Sequence, residues 1–222
     1  MKNTLSALLT TIGISSVVHA DQTVKMVDPK TIRFTMPTVA ADSIQFVVPS
    51  KESFEGAPQF HEDEWGQLEL FPKTRLTEVQ SMLKEFKSFE KKNRTQYGWN
   101  DIFARKISRS PILPPGVSIT DLNSLVSGQL KPAPILGTAS RALGQVKEGF
   151  AIKLGTNAHL YGISNSKGIT VLGAHLAGAD DMLLTKAFKQ LSECYGLILV
   201  DWRQQLVLVS MAPNGKLDAW KP

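Results

Sequence analysis

The stretch that most constrains the fold is residues 181–211, where DMLLTKAFKQLSECYG runs into LILVDW, then RQ, then QLVLVSM. Leu184, Phe188, Leu191 and Tyr195 recur at spacings of three and four, which places them on one face of a helix. Asp180 or Asp181 caps its start, and Gly196 stops it. Residues 197–200 and 206–209 are apolar at every position. A strand with one wet face alternates, so these two read as a hairpin inside a sheet that is covered on both faces. The rest of the chain has to supply those covers.

Residues 150–154, 159–163 and 168–172 read as three strands of a meander, with Asn165, Ser166, Lys167 and Gly168 turning the last pair. Residues 174–180 are a small-residue loop. Leu76, Val79, Leu83, Phe86 and Phe89 mark an amphipathic helix over 75–92, whose polar side carries Lys84, Lys87 and Lys91. Residues 31–36 and 44–48 read as extended segments. Residues 51–59 read as a loop. In residues 60–71, Leu68 and Leu70 alternate with Gln67 and Glu69, the pattern of a half-buried strand. Residues 99–107 are expected to hold a short helical turn. Pro111, Pro114, Pro115, Pro132 and Pro134 exclude long regular elements from 108–137, leaving one brief helix capped by Ser118 or Thr120.

These elements predict an α+β fold, an antiparallel or mixed sheet packed against a few amphipathic helices. The expected organisation is an N-terminal lobe at 21–107, a Pro-rich connection at 108–138 and a C-terminal ββαββ-type lobe at 139–222. The alternative is one domain that the connection wraps.

Residues 1–20 carry Lys2, an apolar and small-residue run, and Val18-His19-Ala20 before Asp21. A secretory signal peptide is expected, and with it a periplasmic or secreted protein with no stable membrane insertion after cleavage. The single Cys194 fits an exported chain held by packing rather than by an internal disulfide. Its place beside the helix's apolar stripe predicts a buried, inert thiol.

The formal charge of +5 becomes +4 when Lys2 leaves, too modest to indicate a nucleic-acid partner. Its distribution is uneven: residues 51–70 carry six acids against one Lys, and residues 71–110 carry ten Lys and Arg against four acids. Such an asymmetry either steers a charged partner or is screened where the two segments fold together.

No cofactor or metal is expected. His61, Glu62, Asp63 and Glu64 lack the spacing of the zinc helix motif, and neither a nucleophile elbow nor a phosphate loop is present. The catalytic candidates are His159 and His175, which pairing of their strands brings together near Asp180 and Asp181. The binding candidates are Glu64 with Trp65, and Asp201 with Trp202 and Arg203, two acid-Trp segments in which the indole anchors either a core or a contact surface. The expected function is a non-catalytic periplasmic binding, accessory or inhibitory protein with a protein or envelope-polymer partner. The alternative is an envelope-polymer hydrolase using His, Asp and Glu as acid and base.

Overall fold

The computed structural model describes residues 34–179, 181–212 and 214–222; the expected signal peptide and Asp180 lie outside the described residues. Among the described residues fourteen strands run in chain order: β1 Thr38–Ala40, β2 Phe46–Val47, β3 Gln59–His61, β4 Leu68–Pro72, β5 Phe103–Arg105, β6 Gln129–Lys131, β7 Ile135–Gly137, β8 Ala142–Val146, β9 Gly149–Gly155, β10 Ala158–Asn165, β11 Gly168–Leu176, β12 Leu197–Asp201, β13 Leu206–Met211 and β14 Leu217–Trp220. The α-helices among the described residues are α1 Lys51–Gly56, α2 Leu76–Asn93, α3 Ile119–Leu125 and α4 Asp181–Tyr195. The fold is α+β, as the sequence predicts.

An eight-stranded sheet in the order β14-β13-β12-β4-β11-β10-β9-β6 forms the body, and every pairing in it is antiparallel. A mixed four-stranded sheet (β2-β8-β7-β3) and a parallel pair (β1 with β5) complete the strand content of the described residues. Strands from both sides of the Pro-rich connection share the large sheet, because β4 sits between β12 and β11.

The faces of that sheet are covered differently. On one, α4 and residues 112–126 close a core around Leu70, Phe150, Leu160, Leu172, Phe188 and Leu199. On the other, α2 packs Val79, Leu83 and Phe86 against Ile198, Val200, Trp202 and Val207. Next to it, the four-stranded sheet brings Phe60, Leu136 and Val146 onto Ala151, Tyr161 and Val171. Alternate residues of the β12–β13 hairpin therefore feed two cores, which is why neither strand alternates. Each fully buried large apolar side chain contributes about 1.5–3 kcal/mol.

Several local expectations are corrected. Residues 51–56 are helical rather than loop, because the Ser50 side chain accepts from the Ser53 N–H and caps the first turn. The helical turn expected over 99–107 is replaced by β5, which pairs in parallel with β1. Glu69 is 1% exposed, so β4 is a covered central strand and not a half-buried one. Cys194 is exposed, not buried. The brief helix in the Pro-rich segment is present as α3, with a capping box between Ser118 and Asp121. Of the extended stretch expected at 31–36, residues 31–33 lie outside the described residues, and Phe34 bridges to Trp99.

Candidate functional site

Three polar or concave features stand out from this scaffold. The first is a cleft of about 160 Å³ between the N-terminal half of α4 and the sheet. Its walls are Leu184 and Phe188 from α4 and Leu68, Leu176, Leu199, Leu206, Leu208 and Leu217 from five strands. Asp181, Thr185, Asp201, Gln204 and Lys221 supply its polar lining. Burial pushes the Asp201 carboxyl above its ordinary value, while the backbone N–H groups of Gln204 and Arg203 act in the opposite sense. Asp201 Oδ1 accepts from the Gln204 N–H at 2.9 Å, which fixes the carboxylate at the turn after β12.

The second is a groove of about 360 Å³ on the opposite face. Strand alternation puts His175 there, while the adjacent Leu176 lines the cleft. His159 pairs directly across from both His175 and Lys153, and Lys153 from Gln129, giving a polar row over four strands. His175 Nε2 donates to Glu64 Oε2 at 2.9 Å, and Phe60 stacks on its ring at 4.3 Å. Burial, reinforced by His175, Lys153 and Lys131, pushes His159 down to about 4.

That shift has a consequence for stability. The folded state prefers neutral His159, whereas an unfolded histidine titrates at about 6.5. The unfolded chain therefore binds more protons between those values, and stability is full above about 6.5 and declines as pH falls towards about 4. Urea midpoints measured between these limits should drop with pH in the wild type and flatten in His159→Asn. An unchanged slope in that variant would assign the decline to other groups.

The third feature is centred in the interior. Glu69 accepts from Arg109 Nη1 at 2.8 Å and from Trp202 Nε1 at 2.9 Å, and Arg109 also pairs with Asp42. Arg105, 1% exposed, donates to Thr38 Oγ1 and to the Gly66 carbonyl, and its guanidinium lies 4.9 Å from the Trp202 ring centroid. The Gly66 N–H in turn donates to the Tyr161 hydroxyl at 2.7 Å. Burial lowers Arg105 to about 10 against the pull of Glu69. Burial also works to lower Arg109, but Glu69 and Asp42 outweigh it and raise that group. This network joins the acidic and basic segments, with Glu69 and Arg105 buried at its centre and Arg109 and Asp42 partly exposed at its edge.

The residues singled out from sequence are thus divided. His159, His175 and Glu64 come together, whereas Asp181 lines the cleft on the other face of the sheet. Trp65 and Trp202 are 3% and 0% exposed, so both indoles belong to cores rather than to a contact surface. Arg203 is exposed and Asp201 half-buried. The leucine walls, the Lys131 and Lys153 pair and the Glu69 network carry no motif and were missed; a charged residue flanked by strand-forming apolar neighbours, as at Glu69 and Lys153, is the one signal available. Among the described residues, no group of three or more His, Cys, Asp and Glu is placed to hold a metal ion, and no helix is long and apolar enough to cross a membrane. Comparison with protein-family models, with curated protein sequences and with solved structures finds no match.

Proposed function

We propose that the protein is an exported, non-catalytic binding protein whose ligand is amphiphilic, with one apolar group seated in the leucine cleft and a polar remainder at Asp181, Asp201, Gln204 and Lys221. The observation that carries this reading is the cleft itself, about 160 Å³ walled by seven leucines and Phe188. A closed apolar cavity of about 150 Å³ accommodates one benzene ring. A few polar groups around an apolar cavity is the usual composition of a small-ligand site. Export rests on the basic and apolar character of residues 1–20.

Titration with short-chain alkyl and aryl amphiphiles, followed by calorimetry, tests the proposal. Leu184→Phe, which adds volume from α4, is expected to weaken binding by about tenfold or more, a loss of about 1.4 kcal/mol, while leaving the melting temperature unchanged or higher. Leu217→Phe approaches from the more exposed β14 side and should do the same. Wild-type protein that takes up none of these ligands, or filled variants that bind as well as wild type, would remove the reading.

A second reading has one observation in its favour. The Glu64 and His175 hydrogen bond is a carboxylate-imidazole pair at a groove, the arrangement of a general base acting on an envelope polymer. Against it, Phe60 covers one face of the His175 ring and Nε2 is committed to Glu64. If the pair is catalytic, cleavage of an envelope glycan by wild type will disappear in Glu64→Gln and His175→Gln alike.

A further inference from the structure

We infer that the groove on the sheet face opposite the cleft is a site for a small tetrahedral oxyanion, held by Lys131 and Lys153 and completed by a proton taken up on His159. The placement follows from strand register. Lys153 stands directly across from His159, Lys131 lies two residues along β6 from Gln129, the partner of Lys153, and all three residues line the same groove. Residues two apart on a strand share a face, so both ammonium groups approach His159 from one side. Asn157, in the turn between β9 and β10, adds an amide to the lining.

What distinguishes this groove from an ordinary solvated surface is that two half-buried lysines and a half-buried histidine share one lining. Among the described residues, neither Lys131 nor Lys153 has an ion-pair partner, and the buried Nδ1 of His159 has no hydrogen-bond partner. A buried unpartnered nitrogen is uncommon in folded proteins. The acids near the groove do not fill the role. Glu64 is bonded to His175 on the far side of the row, and Glu55 is an exposed residue of α1 on the other wall. The donors facing the groove are therefore two ammonium groups, an amide and an imidazole, a set suited to an acceptor-only ligand.

The same charges couple the site to pH. Lys131, Lys153 and His175 disfavour a proton on His159, and a bound dianion reverses that field. An opposite charge within about 4–6 Å moves a titrating group by roughly 1–3 units. Binding then draws a proton onto His159, and by linkage the anion binds more tightly as pH falls from neutrality until the free histidine is itself protonated, at about 4.

Sulfate is the probe, since it does not titrate in this range. Imidazole NMR of the full chain, with chloride at equal ionic strength as reference, is expected to show the apparent pKa of His159 rising by about one unit or more in sulfate. Sulfate affinity should rise between pH 7 and pH 5, fall about fivefold or more in Lys131→Met and in Lys153→Met, survive in Lys153→Arg, and increase in Glu55→Gln. Acetate, planar and singly charged, should bind more weakly, and Leu184→Phe should leave all of these values unchanged. A His159 pKa insensitive to sulfate would overturn the site, as would a folded Lys131→Met/Lys153→Met protein that binds sulfate like wild type.

Discussion

Glu69→Ala is expected to cost the protein about 3–5 kcal/mol of stability, out of the roughly 5–15 kcal/mol that a domain possesses. The carboxylate is 1% exposed and serves three partners: Arg109 Nη1, Trp202 Nε1 and, through its field, Arg105. Removing it leaves a buried guanidinium on Arg105, half of the Arg109 pairing, and an indole N–H with no acceptor. Each group then bears its desolvation without compensation. The loss should register as a lower urea midpoint with little change in slope, since the surface exposed on unfolding is the same. A double variant, Glu69→Leu with Arg109→Met, removes both charges and should be less damaged than the two single effects summed. A Glu69→Ala protein within about 1 kcal/mol of wild type would show that water reaches the network and that its burial is not what holds the sheet centre.

Glu69 also shows where reading the sequence stops. Leu68 and Leu70 alternate with Gln67 and Glu69, and alternation is a local signal that assigns the polar residue to solvent. What reverses the assignment is pairing at long range: Leu68 sits opposite Ala174 on β11 and Leu70 opposite Leu199 on β12. Nothing within β4 indicates that it becomes a central strand, covered on both sides. By contrast, α4 and the β12–β13 hairpin were legible because each declares its environment locally. Leu184, Phe188 and Leu191 are buried at the predicted spacing, and the hairpin's unbroken apolar runs do enter two cores. Short strands suffered most. β6, β7 and β8 hold three to five residues each and lie among prolines and Gly144, whose φ of +131° allows a close approach to β2. Cys194 is exposed although the adjacent Tyr195 packs against the core, because one helical position is enough to turn the thiol away from the stripe.

The candidate sites followed the same division. Asp181 and Asp201 were legible as the ends of helix and strand, because cap and turn positions show in sequence. That they share a cleft was not, since its walls come from α4 and from β4, β11, β12, β13 and β14. The two acid-Trp segments meet because β4 and β12 are antiparallel neighbours, with the Trp202 N–H donating to the Gln67 carbonyl. The two indoles lie in different cores, Trp202 with α2 and Trp65 with the four-stranded sheet.

Gly162→Ala should be as damaging as the loss of Glu69, for a steric reason. Gly162 lies in β10 opposite Leu172 on one side and Phe150 on the other. A methyl group there would stand 2.0 Å from the Val171 carbonyl oxygen and 2.8 Å from the Phe150 ring. The ring could rotate away, but the carbonyl belongs to the backbone of the next strand and moves only if β11 moves. β11 in turn carries His175 and Leu176, one facing each proposed site, and pairs with β4 beside Glu69. Overpacking a core costs about 1–3 kcal/mol where side chains can adjust, and a clash with paired backbone exceeds that range. Gly168→Ala is the comparison: its φ of +108° strains any side chain, yet nothing lies within 4 Å of an added methyl, so only a backbone cost of about 1–3 kcal/mol is expected. Thermal melts should rank Gly162→Ala far below Gly168→Ala, or find the former unfolded. Equal melting temperatures would mean that β10 and β11 separate at little cost, and that the two faces of the sheet are not held in register by their backbones.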